Sequence, residues 1–315
     1  MARVVIVMRD NMKKILIILL LITLTGCGIK NTNKKTIIST GFAGYDFARA
    51  ITKDSENIEV KMLLKPGAEI HDYEPSPKEI VDIQNSDLFI YVGGESDEWV
   101  KDVLKDIDTS KTKVIRLMDL VDVVKEELVE GMEEENEEHE EYDEHIWTSP
   151  LNAKEIIENL NKEIIKIDPN NKNLYTKNSE NYLNEISDID KEIRSIVDSA
   201  KRTELIFGDR FPLRYFVDEY GLSYYAAFPG CSESTEASAK TISFLINKVK
   251  TDDIPVILKI ELSNGKIAEA IAKETGAKVL EFNAAHNISQ EDFDKGITYV
   301  DIMRNNIKSL KEALN

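Results

Sequence analysis

Three of the four histidines in this 315-residue chain stand at the ends of regular segments, with carboxylates or amides beside them. An imidazole in such company binds a metal, moves a proton, or is merely solvated. His71 lies in Gly67-Ala68-Glu69-Ile70-His71-Asp72-Tyr73-Glu74-Pro75-Ser76-Pro77-Lys78-Glu79, just after the apolar run 58–64. Ser76 as N-cap, Pro77 at the first helical position and Glu79 at the third open a helix, so His71 sits on a strand-to-helix connection. Such connections carry ligands in α/β proteins. His145 precedes another helix in Asp143-Glu144-His145-Ile146-Trp147-Thr148-Ser149-Pro150, and His286 follows a strand in Asn283-Ala284-Ala285-His286-Asn287. A single loop histidine is usually just solvated. Three of them at element boundaries in different units point to one shared cation.

Strand and helix signals alternate along the chain that carries these histidines. Residues 36–40, 60–64, 88–92 and 114–117 read as short buried strands, and 44–53, 76–85 and 97–106 carry helical apolar spacing. This predicts a parallel sheet covered by helices on both faces. The pattern stops at 126–144, where Glu133 to Glu141 crowd like charges into what should be a mobile loop. There Glu138, His139 and Glu140 are candidates for weak auxiliary metal capture. Helical stripes follow from 151, broken at Asp168-Pro169-Asn170-Asn171. The second stripe spans roughly 27 residues, about 40 Å at 1.5 Å per residue, a stiff strut. From 203 the alternation resumes, with strands at 204–207, 224–228, 256–260 and 278–282, helices at 212–219, 235–249 and 266–275, and a closing helix at 296–313. The expected organisation is an N-terminal lobe over 35–150, connecting helices over 151–202 and a C-terminal lobe over 203–315. A cleft between lobes is the natural ligand site.

The first 26 residues read as a secretory signal. Lys13-Lys14 leads into an apolar run from Ile15 to Ile22, too short for a comfortable membrane span. Met12 makes a better start than Met1. The run ends in Leu24-Thr25-Gly26-Cys27, which resembles the bacterial lipobox, so Cys27 is expected to carry lipid and 28–34 to be a tether. Only Cys231 then remains as a thiol, so no internal disulfide can form; it reads as a small loop residue. The chain carries −18, and losing a segment of net +3 leaves −21, which argues against nucleic acid and for cations.

The lipobox, the motif from His71 to Pro77, the acidic loop ending in His145-Ile146-Trp147 and the helix-joined lobes together resemble one family. They are similar to the metal-specific solute-binding lipoproteins of ABC importers for zinc and manganese. The resemblance covers essentially the whole mature chain. It implies an α/β fold of two similar lobes with parallel four-stranded sheets joined by one long rigid helix, the metal between them, a membrane permease as partner and action as a monomer outside the cytoplasm. By position, His71 and His145 match the first two ligands. The third falls nearest Arg210, which cannot serve, leaving Asp209. The fourth falls on Asn283, and His286, three residues on, is the better donor. Glu261 and Glu236 are further candidates.

Three imidazoles and one carboxylate suit tetrahedral zinc, whereas manganese prefers more oxygen. A secreted zinc hydrolase would need an open coordination position and a base; no His-Glu-x-x-His helix occurs, and Glu74 is the only obvious base candidate near His71. An enzyme is therefore not expected. A surface adhesin is the other rival, compatible with metal binding.

Overall fold

Apolar residues alternate between two destinations along each inner strand, because both faces of each sheet are covered. In the computed structural model, which describes residues 34–69, 73–132, 142–230 and 237–315, the first sheet comprises β1 (Lys35–Ser39), β2 (Ile58–Met62), β3 (Leu88–Tyr91) and β4 (Lys113–Arg116). All pairings are parallel, in the order β2-β1-β3-β4. Ile37, Leu88 and Ile90 face a core shared with the second half of the chain, while Ile38 and Phe89 face a separate cluster with Ile83 and Val100. The second sheet repeats this with β5 (Glu204–Phe211), β6 (Ser223–Pro229), β7 (Val256–Lys259) and β8 (Lys278–Glu281), in the order β6-β5-β7-β8. Leu205 and Phe207 point to the shared core, Ile206 and Ile257 to an outer one. Two similar lobes with four-stranded parallel sheets are thus observed as expected. In each the strand order reverses at the first strand, the topology that places ligands beyond the carboxyl ends of the strands.

Helices α1 (Phe42–Ile51), α2 (Pro77–Gln84) and the short α3 (Val100–Val103) serve the first lobe. The stretch expected as one helix over 97–106 is broken into two 3-10 turns around α3. The predicted capping box opens α2: the Ser76 hydroxyl accepts from Glu79 N–H, and the Glu79 carboxylate accepts from Ser76 N–H at 2.7 Å. The connecting helices are α4 (Pro150–Ile167), N-capped by Ser149, and α5 (Lys172–Asp198), whose 27 residues match the expected strut. The second lobe adds α6 (Arg214–Tyr220), α7 (Ala239–Thr251), α8 (Lys266–Thr275), α9 (Gln290–Lys295) and α10 (Tyr299–Leu314). The helix expected over 296–313 starts later, because Gly296 at φ +71° ends α9 and Thr298 with Asp301 forms a fresh capping box. Strand β5 outruns its expected end at 207: a register shift after Phe207 lets Arg210 and Phe211 pair with Phe228 and Pro229.

The signal segment with Cys27, His71 and Asp72, the run 133–141 with Glu138, His139 and Glu140, and 231–236 with Cys231 and Glu236 lie outside the described residues. The acidic segment's flanks pair with each other, Asp143 N–H donating to Val124 O at 2.9 Å, and one of them meets the second lobe where the Arg214 guanidinium pairs with Glu127. Lys35–Asn315 form one unit, with the strut packed on α1, α4 and α10.

One buried carboxylate ties α1, the strut and α10 together. Asp46 on α1, fully inaccessible, accepts from the Tyr182 hydroxyl on α5, from Tyr299 N–H at 2.9 Å at the start of α10, and from Arg49 at 2.6 Å. Arg49 also donates to Ile297 O at 2.9 Å. Removing one partner from such a network strands the others. Asp46→Ala is expected to lower unfolding stability by about 3–5 kcal/mol and Tyr182→Phe by about 1 kcal/mol in urea denaturation; equal small losses would deny Asp46 this role.

Candidate metal centre

His145 occupies a turn built to fix its ring. Asp143, two residues earlier and itself buried, accepts with one carboxylate oxygen from both the His145 backbone N–H and ring Nδ1, each at 2.8 Å. The Tyr215 hydroxyl donates to Asp143 O at 2.7 Å, anchoring the turn to α6, and the Thr148 hydroxyl donates to His145 O at 2.8 Å. With Nδ1 as donor to the carboxylate, Nε2 carries the lone pair. That nitrogen is buried and meets no hydrogen-bond partner among the described residues. Such an atom ordinarily costs stability unless a ligand takes it up. Burial by itself would pull the His145 pKa down, but the charge and hydrogen bond of Asp143, backed by Glu144 and Glu126, outweigh it and raise it above 6.5.

His286 reaches the same place from the other lobe. The loop after β8 winds around the buried carboxylate of Glu261, which accepts from Ala284 N–H at 2.7 Å and His286 N–H at 2.9 Å. Burial pushes that carboxyl up to about 7. Leu262 and Ala285 adopt φ of +58° and +55°, conformations that β-carbon-bearing residues accept only when their surroundings impose them. The imidazoles of His145 and His286 stand with ring centroids 4.2 Å apart and planes at 89°. Two imidazoles on one tetrahedral zinc would have centroids about 5 Å apart, so a shared ion needs a shift of only about 1 Å.

Trp147 locks the two turns together. Its indole N–H donates to Ala284 O at 2.7 Å, and its own carbonyl accepts from the Tyr299 hydroxyl at 2.9 Å. Sequence reading assigned no role to Asp143 or Trp147. The Asp-x-His spacing was a usable signal for the former, whereas the tryptophan's partner is 137 residues away.

The segment leading to His71 is held to the His286 loop. Asn287 Nδ2 donates to Lys65 O at 2.9 Å and Ala68 O at 2.7 Å, and Gly67 N–H donates to Ile288 O at 2.8 Å. His71 itself lies outside the described residues, and among those described no group of three or more His, Cys, Asp or Glu side chains stands ready for a metal. Asp209 lies on β5 rather than in a loop after it; its carboxylate accepts from Arg210 N–H at 2.9 Å, and burial raises its pKa. The Asn283 side-chain oxygen accepts from Ala285 N–H at 2.7 Å, shaping the loop. Both Glu261 oxygens serve backbone donors. A narrow crevice lined by Thr40, Gly41, Gly44, Val92, Trp147 and His286 runs to the carboxyl end of β1.

The sequence matches the family described as ZnuA, zinc-uptake complex component A, periplasmic, over residues 37–313. It is 33% identical over 285 residues to the high-affinity zinc uptake system protein ZnuA of Bacillus subtilis (strain 168), covering 90% of this chain and 88% of that one. It is 29% identical over 283 residues to the zinc-binding lipoprotein AdcA of Streptococcus pneumoniae (strain R6), covering 89% of this chain but only 56% of that longer protein. The solved Zn(II)-bound ZnuA-like domain of Streptococcus pneumoniae AdcA superposes with a TM-score of 0.75 at 27% identity, over 90% of this chain and 99% of that one.

The Asp143 carboxylate fixes both the tautomer and the orientation of His145. Asp143→Asn is expected to weaken zinc binding by about 10–100-fold, measured by competition with a chelator of known affinity, while leaving the fold intact by circular dichroism. Unchanged affinity would reduce Asp143 to a turn-former.

Proposed function

Because the chain belongs to the ZnuA family of zinc-uptake components, we propose that it is a lipid-anchored, extracytoplasmic zinc-binding protein that hands its metal to an ABC-type permease in the membrane. The family comprises binding components of uptake systems, not enzymes. The observation that carries this reading is the buried His145, its Nδ1 committed to Asp143, its Nε2 unpartnered among the described residues and its ring against His286. His71, His145 and His286 supply three nitrogens. Asp209 supplies the carboxylate, since both Glu261 oxygens and the Asn283 amide oxygen already serve backbone N–H groups. Glu261 and Asn283 then shape the loop that presents His286. A nitrogen-rich set favours zinc over manganese. The lipobox ending in Cys27 supplies the anchor, and the negative charge draws cations toward the site.

Protein purified without added metal is expected to contain one zinc per chain by elemental analysis, with manganese a poor competitor. His71→Ala, His145→Ala and His286→Ala should each weaken zinc binding at least about tenfold, and Asn283→Ala less. If calorimetry showed Asn283→Ala to cost more than His286→Ala, the donor assignment in that loop would be wrong.

Proton competition has a definite sign. A protonated imidazole cannot bind metal, and the His145 pKa is raised, so affinity should begin to fall at a higher pH than for an ordinary imidazole near 6.5. In Asp143→Asn the fall should move to lower pH, even as affinity at neutral pH drops. Titrations of zinc affinity between pH 5 and 8 on both proteins check this, and identical pH profiles would refute it.

A further inference from the structure

His145 stands at the centre of a turn too short to fix its own direction. With φ −82°, ψ 42° and Ile146 N–H donating to Glu144 O at 2.9 Å, it is close to an inverse γ-turn, three residues closed by one hydrogen bond. Where the ring points therefore depends on how the neighbouring residues are tied to their surroundings. The Tyr215 hydroxyl and the Ala284 carbonyl tie Asp143 and Trp147 to the second lobe. Glu144, buried like His145, ties the turn to the first. Its carboxylate accepts from Ser96 N–H at 3.1 Å with one oxygen and from the Ser96 hydroxyl with the other. Gly94 makes room for it, since a β-carbon there would collide with Glu144 Cβ and Oε2. The loop that receives the carboxylate is itself fixed. Asp97 accepts from Val92 N–H at 2.6 Å, Gly93 N–H at 3.1 Å and the Thr40 hydroxyl at 3.4 Å, at the carboxyl ends of β3 and β1.

From this geometry we propose that Glu144 is a positioning residue for zinc: clasped by Ser96 and seated on Gly94, it sets the His145 turn against the carboxyl end of the first sheet. The inference deepens the functional reading above, since it rests on His145 as a zinc ligand, and it gives Glu144 no place on the metal, because both its oxygens are engaged by Ser96. Asp143 orients the ring itself, whereas Glu144 orients the backbone that carries the ring. A ligand turn held from both lobes loses less freedom when the ion binds, so the clasp contributes to affinity through preorganisation. What the carboxylate supplies is position rather than charge.

Two variants separate those roles, because Glu144→Ala and Glu144→Gln change net charge equally while only glutamine keeps an oxygen for Ser96 N–H. Zinc affinity of the full chain, measured by chelator competition, is expected to fall about tenfold in Glu144→Ala, and Glu144→Gln should recover most of that loss. Ser96→Ala should weaken binding less, and should add nothing in the Glu144→Ala background, as for two residues of one contact. A second readout needs no metal. In metal-free protein with nitrogen-15-labelled histidine, solvent exchange of the His145 Nδ1 proton should quicken in Glu144→Ala and in Ser96→Ala, and stay slow in Glu144→Gln. Unchanged affinity and unchanged proton exchange in Glu144→Ala would overturn the proposal. Glutamine as weak as alanine, with the Nδ1 proton still slow in both, would also overturn it, by making Glu144 a charge rather than a clasp. Should Glu144→Ala fail to fold by circular dichroism, Ser96→Ala decides: a His145 proton that exchanges as in the unaltered protein rejects the clasp. Absence of a tight zinc from unaltered protein whose Nδ1 proton responds to these substitutions would instead overturn the functional reading beneath it.

Discussion

A carboxylate withdrawn from water must find enough donors to replace its hydration, and Asp46 finds them on three helices at once. Tyr182 from the strut, Tyr299 N–H from α10 and Arg49 from its own helix converge on it. None of those donors can move without leaving a buried polar atom unmatched, at about 1–3 kcal/mol each. The relative position of α1 in the first lobe and α10 in the second is therefore set by hydrogen-bond geometry as well as by packing. The shared core makes the same point in apolar terms: Phe47 of α1 meets Tyr299 edge-on at 5.2 Å, and both are fully buried. Two lobes so joined behave as one body, which is what a site assembled from both of them requires.

The candidate metal site repeats the device on a smaller scale. Glu261 gathers the N–H groups of Ala284 and His286, Asn283 takes that of Ala285, and Asn287 reaches into the opposite lobe. These short polar side chains do for an irregular loop what a neighbouring strand does for a sheet. Asn283 also helps hold Ala285 at positive φ, a strain that persists because the contacts around it over-determine the backbone. Preorganisation of this kind lowers the ordering cost at binding, so more of the metal–ligand interaction appears as affinity.

Much of the fold was legible in the sequence because it depends on local periodicity. Strands buried on both faces read as unbroken apolar runs, and the strut's stripe holds its spacing from Tyr175 through Ile193, most of the 27-residue helix. The cap at Ser76 was legible for the same reason, as it acts within three residues of itself. What escaped was tertiary. Gly208 to Phe211 read as residues following a strand that ends at 207, yet the edge offered by Phe228 and Pro229 prolongs β5 through them, so Asp209 and Arg210 become strand residues. Gly208 is needed there for another reason: a β-carbon would stand 2.5 Å from the Ala268 Cα of α8. His145 and His286 could be picked out as boundary residues. Their approach to 4.2 Å depends on the Trp147–Ala284 hydrogen bond, which no local pattern announces.

The distribution of charge completes the logic of the site. A chain of net charge −18 attracts divalent cations from a distance, and that attraction is screened over about 8–10 Å at ordinary salt. Close to the centre the balance changes. Glu261 is held near its titration point by burial, Asp143 shares its negative charge with an imidazole, and Arg210 neutralises Glu69. The long-range field can therefore speed capture without filling the centre with oxygen donors that would favour manganese or calcium. In the proposed site selectivity would rest on imidazoles, and the His145 ring is the one held by a carboxylate behind it. Attraction and choice are thus carried by different residues, and either can change without rebuilding the other.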